Sequence, residues 1–117
     1  MEKDLKPVTW MGDSLARVRR FPESTRADAG YQLELIQRGD TPIDFRPMPE
    51  VGTGVFEIRL HDGNEYRMFY VAKFEESVYV LHCFEKRTQR TRQGDIQTGH
   101  VRYRALLERR KNEGRKK

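Results

Sequence analysis

The sequence predicts an α+β fold in which an N-terminal helical hairpin packs on a small, mainly antiparallel sheet and a helix closes the chain. Three observations predict it. Apolar residues recur at helical spacing through the first third; residues 55 to 84 alternate and then run apolar in strand-length pieces; helical spacing returns after Gly94. The chain of 117 residues suits a single domain, with no linker long enough to separate one core from another and a basic tail from about residue 111.

Pro7 to Met11 reads as a short N-terminal strand, and Gly12-Asp13-Ser14 supplies side chains that accept the orphan N–H groups of a helix start. The spacing of Leu15, Val18 and Phe21 predicts a helix from Ser14 to Phe21, ended at Pro22 because the residue before proline disfavours the α conformation. A second helix is predicted from Glu23 to Arg38, with Ala27, Tyr31 and Leu35, and Ile36 beside them, as its apolar stripe and Gly39 as its left-handed terminator. Asp40 to Gly54 carries three prolines and two glycines and reads as a loop, with Ile43 to Arg46 at most an edge strand.

Val55 to His61 alternates, which puts Phe56, Ile58 and Leu60 on one face and Glu57, Arg59 and His61 on the other. The turn residues His61-Asp62-Gly63-Asn64 join it to a strand from Glu65 to Ala72, and Glu75-Glu76-Ser77 leads into Val78 to Phe84, apolar enough for a central strand. These three strands are expected to form an antiparallel meander. Glu85 to Gln93 is a basic loop, and Gly94-Asp95 opens a last helix with Ile96, His100, Tyr103 and Leu107 on one face.

Charge is unevenly spread. The net charge is +5, yet residues 1 to 84 hold 11 Lys and Arg against 14 Asp and Glu, whereas residues 85 to 117 hold 12 against 4. A basic last third suits a polyanion such as RNA, or an acidic protein. Cys83 is the only cysteine, which rules out an intramolecular disulfide and a cysteine zinc cage. His61, His82 and His100 lack the spacing of a metal clamp, so neither metal nor other cofactor is expected. With no apolar run of about 20 residues and no apolar segment in MEKDLKPVTW, a cytoplasmic protein without a membrane span is expected.

The element order, together with VFEIRL (55–60), EYRMFY (65–70) and VLHCFEKRTQRT (80–91), resembles the RelE/ParE toxin superfamily, and its HigB branch most closely. The resemblance spans nearly the whole chain. It implies a RelE-like fold and a toxin that cleaves messenger RNA, usually on the ribosome. It also implies a cognate antitoxin that occludes the site, commonly a small helix-turn-helix DNA-binding protein.

The residue types fit metal-free RNA cleavage on their own terms. RNA carries its nucleophile, the 2′-hydroxyl, so a protein must align it, take its proton, stabilise the phosphorane and protonate the leaving oxygen. Guanidinium forks suit the phosphorane. Arg59 and Arg67 are the candidates, on adjacent strands and on the sheet face turned from the helical hairpin; the structural alternative is a pair of surface arginines bridged to Glu57. Glu57 is a candidate general base. His82 could serve as acid or base, although a lone strand histidine is more often structural.

Lys86 and Arg87, at the strand exit, resemble the family's basic pair, Lys86 as a phosphate contact or proton-handling group. Arg87, Arg90, Arg92 and Arg102 are candidate contacts to the RNA backbone. Where branches of the family carry a tyrosine or histidine at the start of the last helix, this chain has Arg92-Gln93-Gly94-Asp95-Ile96, which leaves the proton donor unassigned. Two other readings keep the fold: a ParE-like inhibitor of DNA gyrase without nuclease activity, and a non-catalytic RNA-binding module using Tyr66, Phe69, Tyr70 or Tyr79 for stacking.

Overall fold

The computed structural model describes residues 5–89 and 92–115. In chain order the elements are β1 (Val8–Trp10), α1 (Ser14–Val18), α2 (Glu23–Gln37), β2 (Phe45–Pro47), β3 (Val55–Asp62), β4 (Asn64–Val71), β5 (Val78–Lys86) and α3 (Gln93–Arg115). The fold is α+β with a five-stranded mixed sheet of order β1-β5-β4-β3-β2. β3 pairs antiparallel with β4, and β4 with β5, while β1 runs parallel along β5. The edge strand β2, which ends at Pro47 where a missing N–H costs least, pairs antiparallel with β3.

Strand alternation divides the sheet into two apolar faces. On one, Ile58, Leu60, Met68, Tyr70, Val78 and Val80 pack with Val18, Phe21, Ala29, Leu33 and Ile36. On the other, Val55, Phe69, Val71, Leu81 and Phe84 meet Tyr103 and Leu106 of α3 and Met48 and Val51 of the loop before β3. Gly99 lets α3 seat closely, since a Cβ there would lie 2.8 Å from the Phe69 ring. The β3–β4 turn needs Gly63, whose φ of 74° is open to glycine at no steric cost. Ser24 and Thr25 donate to the Asp62 carboxylate beside it, which ties the start of α2 to this turn.

Several expectations change. The first helix ends at Val18 instead of Phe21; Phe21 is still buried, but in the turn that Pro22 imposes. Val18 of α1 shares an apolar cluster with Ala29, Leu33 and Ile36 of α2, while α1 lies chiefly against β5 and α2 against β3, each covering apolar sheet. Within α2 the buried row is Thr25, Ala29, Gln32, Leu33 and Ile36, and Tyr31 is 52% exposed. In α3, Leu106 is buried and Leu107 is 38% exposed; the seam runs through Gly99, Tyr103 and Leu106, at spacings of four and three. The ladder between β4 and β5 contains a bulge at Phe69/Tyr70, opposite Leu81 and His82. Both residues thereby face the α3 side, where His82 reaches the first turn of α3.

Candidate functional site

On the α3 side of the sheet, three successive cross-strand rows change from apolar to ionic. The first pairs Arg46 with Glu57 and, farther along, Phe69 with His82; the second sets Arg59 opposite Arg67 and Arg67 opposite Phe84; the third sets His61 opposite Glu65 and Glu65 opposite Lys86. Register partners share a face, so Arg46, Arg59, Arg67, Lys86 and His61 surround three carboxylates, Glu57, Glu65 and Asp44.

Glu57 is fully buried at the centre. Arg46 Nε donates to its Oε1 at 3.0 Å, and Arg67 Nε stands 3.6 Å from the same oxygen, close enough for ion pairing but without a hydrogen bond. Arg67 is only 2% exposed. Its two terminal nitrogens donate to the Tyr66 carbonyl at 3.0 Å and to Glu65 Oε1 at 3.1 Å. Arg59 approaches Asp44 at 4.0 Å, and its Nε, like that of Arg67, is buried with no hydrogen-bond partner.

The facing arginines are costly for the fold. Like charges directly opposite on neighbouring strands repel, and each buried donor without an acceptor costs about 1–3 kcal/mol. An anion beside Arg59, whose side chain is 34% exposed, would offset that repulsion.

Protonation states follow the same geometry. His61 lies 2.7 Å from Asp44 Oδ2 and 2.7 Å from Glu65 Oε2. Asp44 and then Glu65 hold its pKa above the ordinary value. His61, and secondarily Arg67, keep the Glu65 carboxyl below the usual range. Lys86 is shifted down, first by burial and next by the charge of Arg67, with Glu57 opposing.

Of the residues singled out in the sequence, Glu57, Arg59, Arg67 and Lys86 come together here. His82 shares the face but is 1% exposed; its Nε2 is 2.8 Å from Asp95 Oδ1 and its ring stacks on Phe84. Burial lowers its pKa despite Asp95. That geometry makes His82 a neutral tie between β5 and α3, out of reach of a surface ligand. Arg87 is exposed at the strand exit, 3.4 Å from Glu85, and Arg92 is exposed at the start of α3, 3.9 Å from Asp95. Arg102 is engaged elsewhere, donating to the Leu81 carbonyl at 3.0 Å and to Asp13 at 2.6 Å. Arg90 lies outside the described residues.

The sequence pattern did not single out Arg46, Asp44, His61 and Glu65 as site members. The placement of Arg46 on Glu57 depends on the β2–β3 register, which a proline-rich loop does not reveal. Among the described residues no group of three His, Cys, Asp or Glu side chains is arranged to hold a metal ion, and no helix is long and apolar enough to cross a membrane.

No curated protein matches the chain. The model of one family, described as phage-derived Gp49-like protein, matches residues 16–104, which include every element of the ionic rows. With a match over most of its length, the chain belongs to the phage-derived Gp49-like family, a family of RelE/toxin-like character.

Proposed function

We propose that this protein is the toxin of a toxin-antitoxin pair, of the RelE/HigB kind, and acts in the cytoplasm as a metal-independent endoribonuclease on messenger RNA. The observation that carries this reading is the facing pair Arg59 and Arg67, each with a buried guanidinium donor that lacks an acceptor. A phosphodiester seated on the more exposed Arg59 brings the negative charge that the facing pair lacks, and a pentacoordinate phosphorane, with more negative charge on its oxygens, brings more.

In this mechanism the RNA 2′-oxygen attacks the adjacent phosphorus and the bond to the 5′-oxygen breaks. The products are a 2′,3′-cyclic phosphate and a free 5′-hydroxyl. Arg59, whose side chain is 34% exposed, holds a non-bridging oxygen, and Arg67, only 2% exposed, adds its charge from beneath. Lys86, whose depressed pKa makes it a stronger acid than an ordinary lysine, protonates the leaving 5′-oxygen. Glu57 is buried beneath the arginines and acts by aiming Arg46 and Arg67 rather than by touching RNA. The 2′ proton then passes to a rim carboxylate, Asp44 or Glu65, since these are the exposed acids beside the arginines. Arg87 and Arg92 add backbone affinity from the strand exit and the start of α3. Translating ribosomes present the messenger, and a cognate antitoxin of the helix-turn-helix type neutralises the toxin.

The test is purified protein with a labelled messenger, in chelator, with and without ribosomes, followed by end analysis. Expected are fragments with 5′-hydroxyl and cyclic phosphate ends from the wild type, and a loss of about 100-fold or more in Arg67→Ala. Growth arrest on induction with intact messenger and inhibited DNA supercoiling would instead favour gyrase as target.

A further inference from the structure

A second cleft lies behind the ionic rows, at the same end of the sheet. It measures about 200 Å³ and is lined by Arg17, Arg20, Phe21, Tyr66, Phe84 and Glu85. Its position follows from register. Tyr66 pairs with Glu85 between the rows Arg67–Phe84 and Glu65–Lys86, so Tyr66 and Glu85 project to the α1 side while Arg67 and Lys86 project to the other. The two sites are back to back across the ends of β4 and β5, with exposed Arg87 beside Glu85 at the strand exit.

The cleft has the features of a site for one nucleotide. Tyr66 is 5% exposed, its ring lying 4.7 Å from that of Phe21. A buried tyrosine hydroxyl usually finds a partner, yet this one makes no hydrogen bond among the described residues and is not sealed from solvent. It therefore opens on the cleft, ready to meet a polar edge. Arg20 is exposed, and its side chain forms no ion pair or hydrogen bond among the described residues. Arg17 shares Asp13 with Arg102, which fixes it at the cleft wall. Glu85 brings a negative charge to the cleft, but Arg87 stands 3.4 Å from its carboxylate and offsets it. The volume is below that of a site for a whole cofactor and suits a single ring or phosphate.

We infer that this cleft is a subsite for a nucleotide of the same single-stranded RNA, near the scissile position, reached by the strand passing over Arg87. Arg20 meets its phosphate and the Tyr66 hydroxyl its base edge or sugar. This rests on the ribonuclease reading and adds to it a dependence on RNA length: a fragment of about three nucleotides fills the ionic rows alone, whereas about eight reach the cleft.

The test measures binding of uniformly 2′-O-methylated oligoribonucleotides, which lack the nucleophile, at lengths of about three and eight. The wild type is expected to prefer the longer by about tenfold, the worth of one added contact to a charged group. Tyr66→Phe, which keeps the packed ring, and Arg20→Ala should each reduce that preference while leaving affinity for the trimer unchanged. Arg20→Ala should also lower the salt dependence by about one phosphate, and Arg20→Lys should restore it. Wild type binding both lengths, with the preference intact in both variants or with both lengths weakened equally, overturns the subsite alone. Wild type binding neither length overturns the ribonuclease reading together with the subsite.

Discussion

Arg59 and Arg67 are direct register partners on β3 and β4, so two guanidinium groups face one another across a single ladder rung with a buried carboxylate, Glu57, one row away. A sheet stabilised only for its own sake would place opposite charges or apolar pairs there. The arrangement sets a partly exposed Arg59 beside the buried Arg67, so that an incoming anion at Arg59 meets the charge of both.

An anion that binds only the folded state stabilises it in proportion to the logarithm of its concentration. Inorganic phosphate at ten times its dissociation constant is therefore expected to add about 1.4 kcal/mol, and thermal melting at constant ionic strength reads it. Arg59→Ala should abolish the effect, and an equal response in that variant would place the anion elsewhere.

Arg46 donates a hydrogen bond to the buried Glu57 carboxylate at 3.0 Å. Arg46→Ala should lower unfolding free energy by about 2 kcal/mol, the range for a hydrogen bond to a charged group. Combining it with Glu57→Gln should cost less than the sum of the two single changes, because the neutral amide no longer needs the cation. Urea denaturation of the four proteins forms the cycle; strict additivity would show the pair to be uncoupled.

Two histidines give the stability–pH curve opposite limbs. Burial puts the folded pKa of His82 below the ordinary 6.5, so the unfolded chain takes up this proton more readily. Its contribution is complete above pH 6.5 and is lost as pH falls through that value toward the folded one. For His61 the folded pKa is raised by Asp44 and Glu65, so its contribution is complete below 6.5 and is lost as pH rises through the raised value. Urea midpoints from about pH 5 to 8 should show that His61→Gln flattens the upper limb and keeps the acid one. An unchanged upper limb would contradict the assignment.

The seat of α3 depends on Gly99. A Cβ there would meet Phe69 Cδ2 at 2.8 Å and Val51 Cγ1 at 3.0 Å, both in the core. Gly99→Ala is expected to destabilise by about 1–3 kcal/mol despite the better helix propensity of alanine. Equilibrium denaturation checks it, and a more stable variant would mean that α3 can lift without cost.

Much of the site was legible because strand alternation is a local rule. Glu57, Arg59 and His61 had to share a face opposite Phe56, Ile58 and Leu60, and the basic pair Lys86-Arg87 had to follow the last strand's apolar run. What was not legible depended on pairing over distance. Arg46 reaches Glu57 only through the β2–β3 register, and Asp44 reaches His61 from a loop 17 residues earlier in the chain. His82 was ambiguous for a different reason: a bulge, which no local periodicity announces, turned it toward α3 beside Leu81.

The sequence by itself determined the order and type of the elements, the apolar faces of the strands, and the basic character of the last third, since these rest on side-chain periodicity and composition. Tertiary structure alone decided that Arg59 and Arg67 face each other over a buried Glu57, that Arg102 is spent on Asp13 and β5, and that α1 and α2 cover different strands. Register and layer packing are set by the total apolar area buried and by charges brought together from distant segments, and neither quantity exists until the chain has folded.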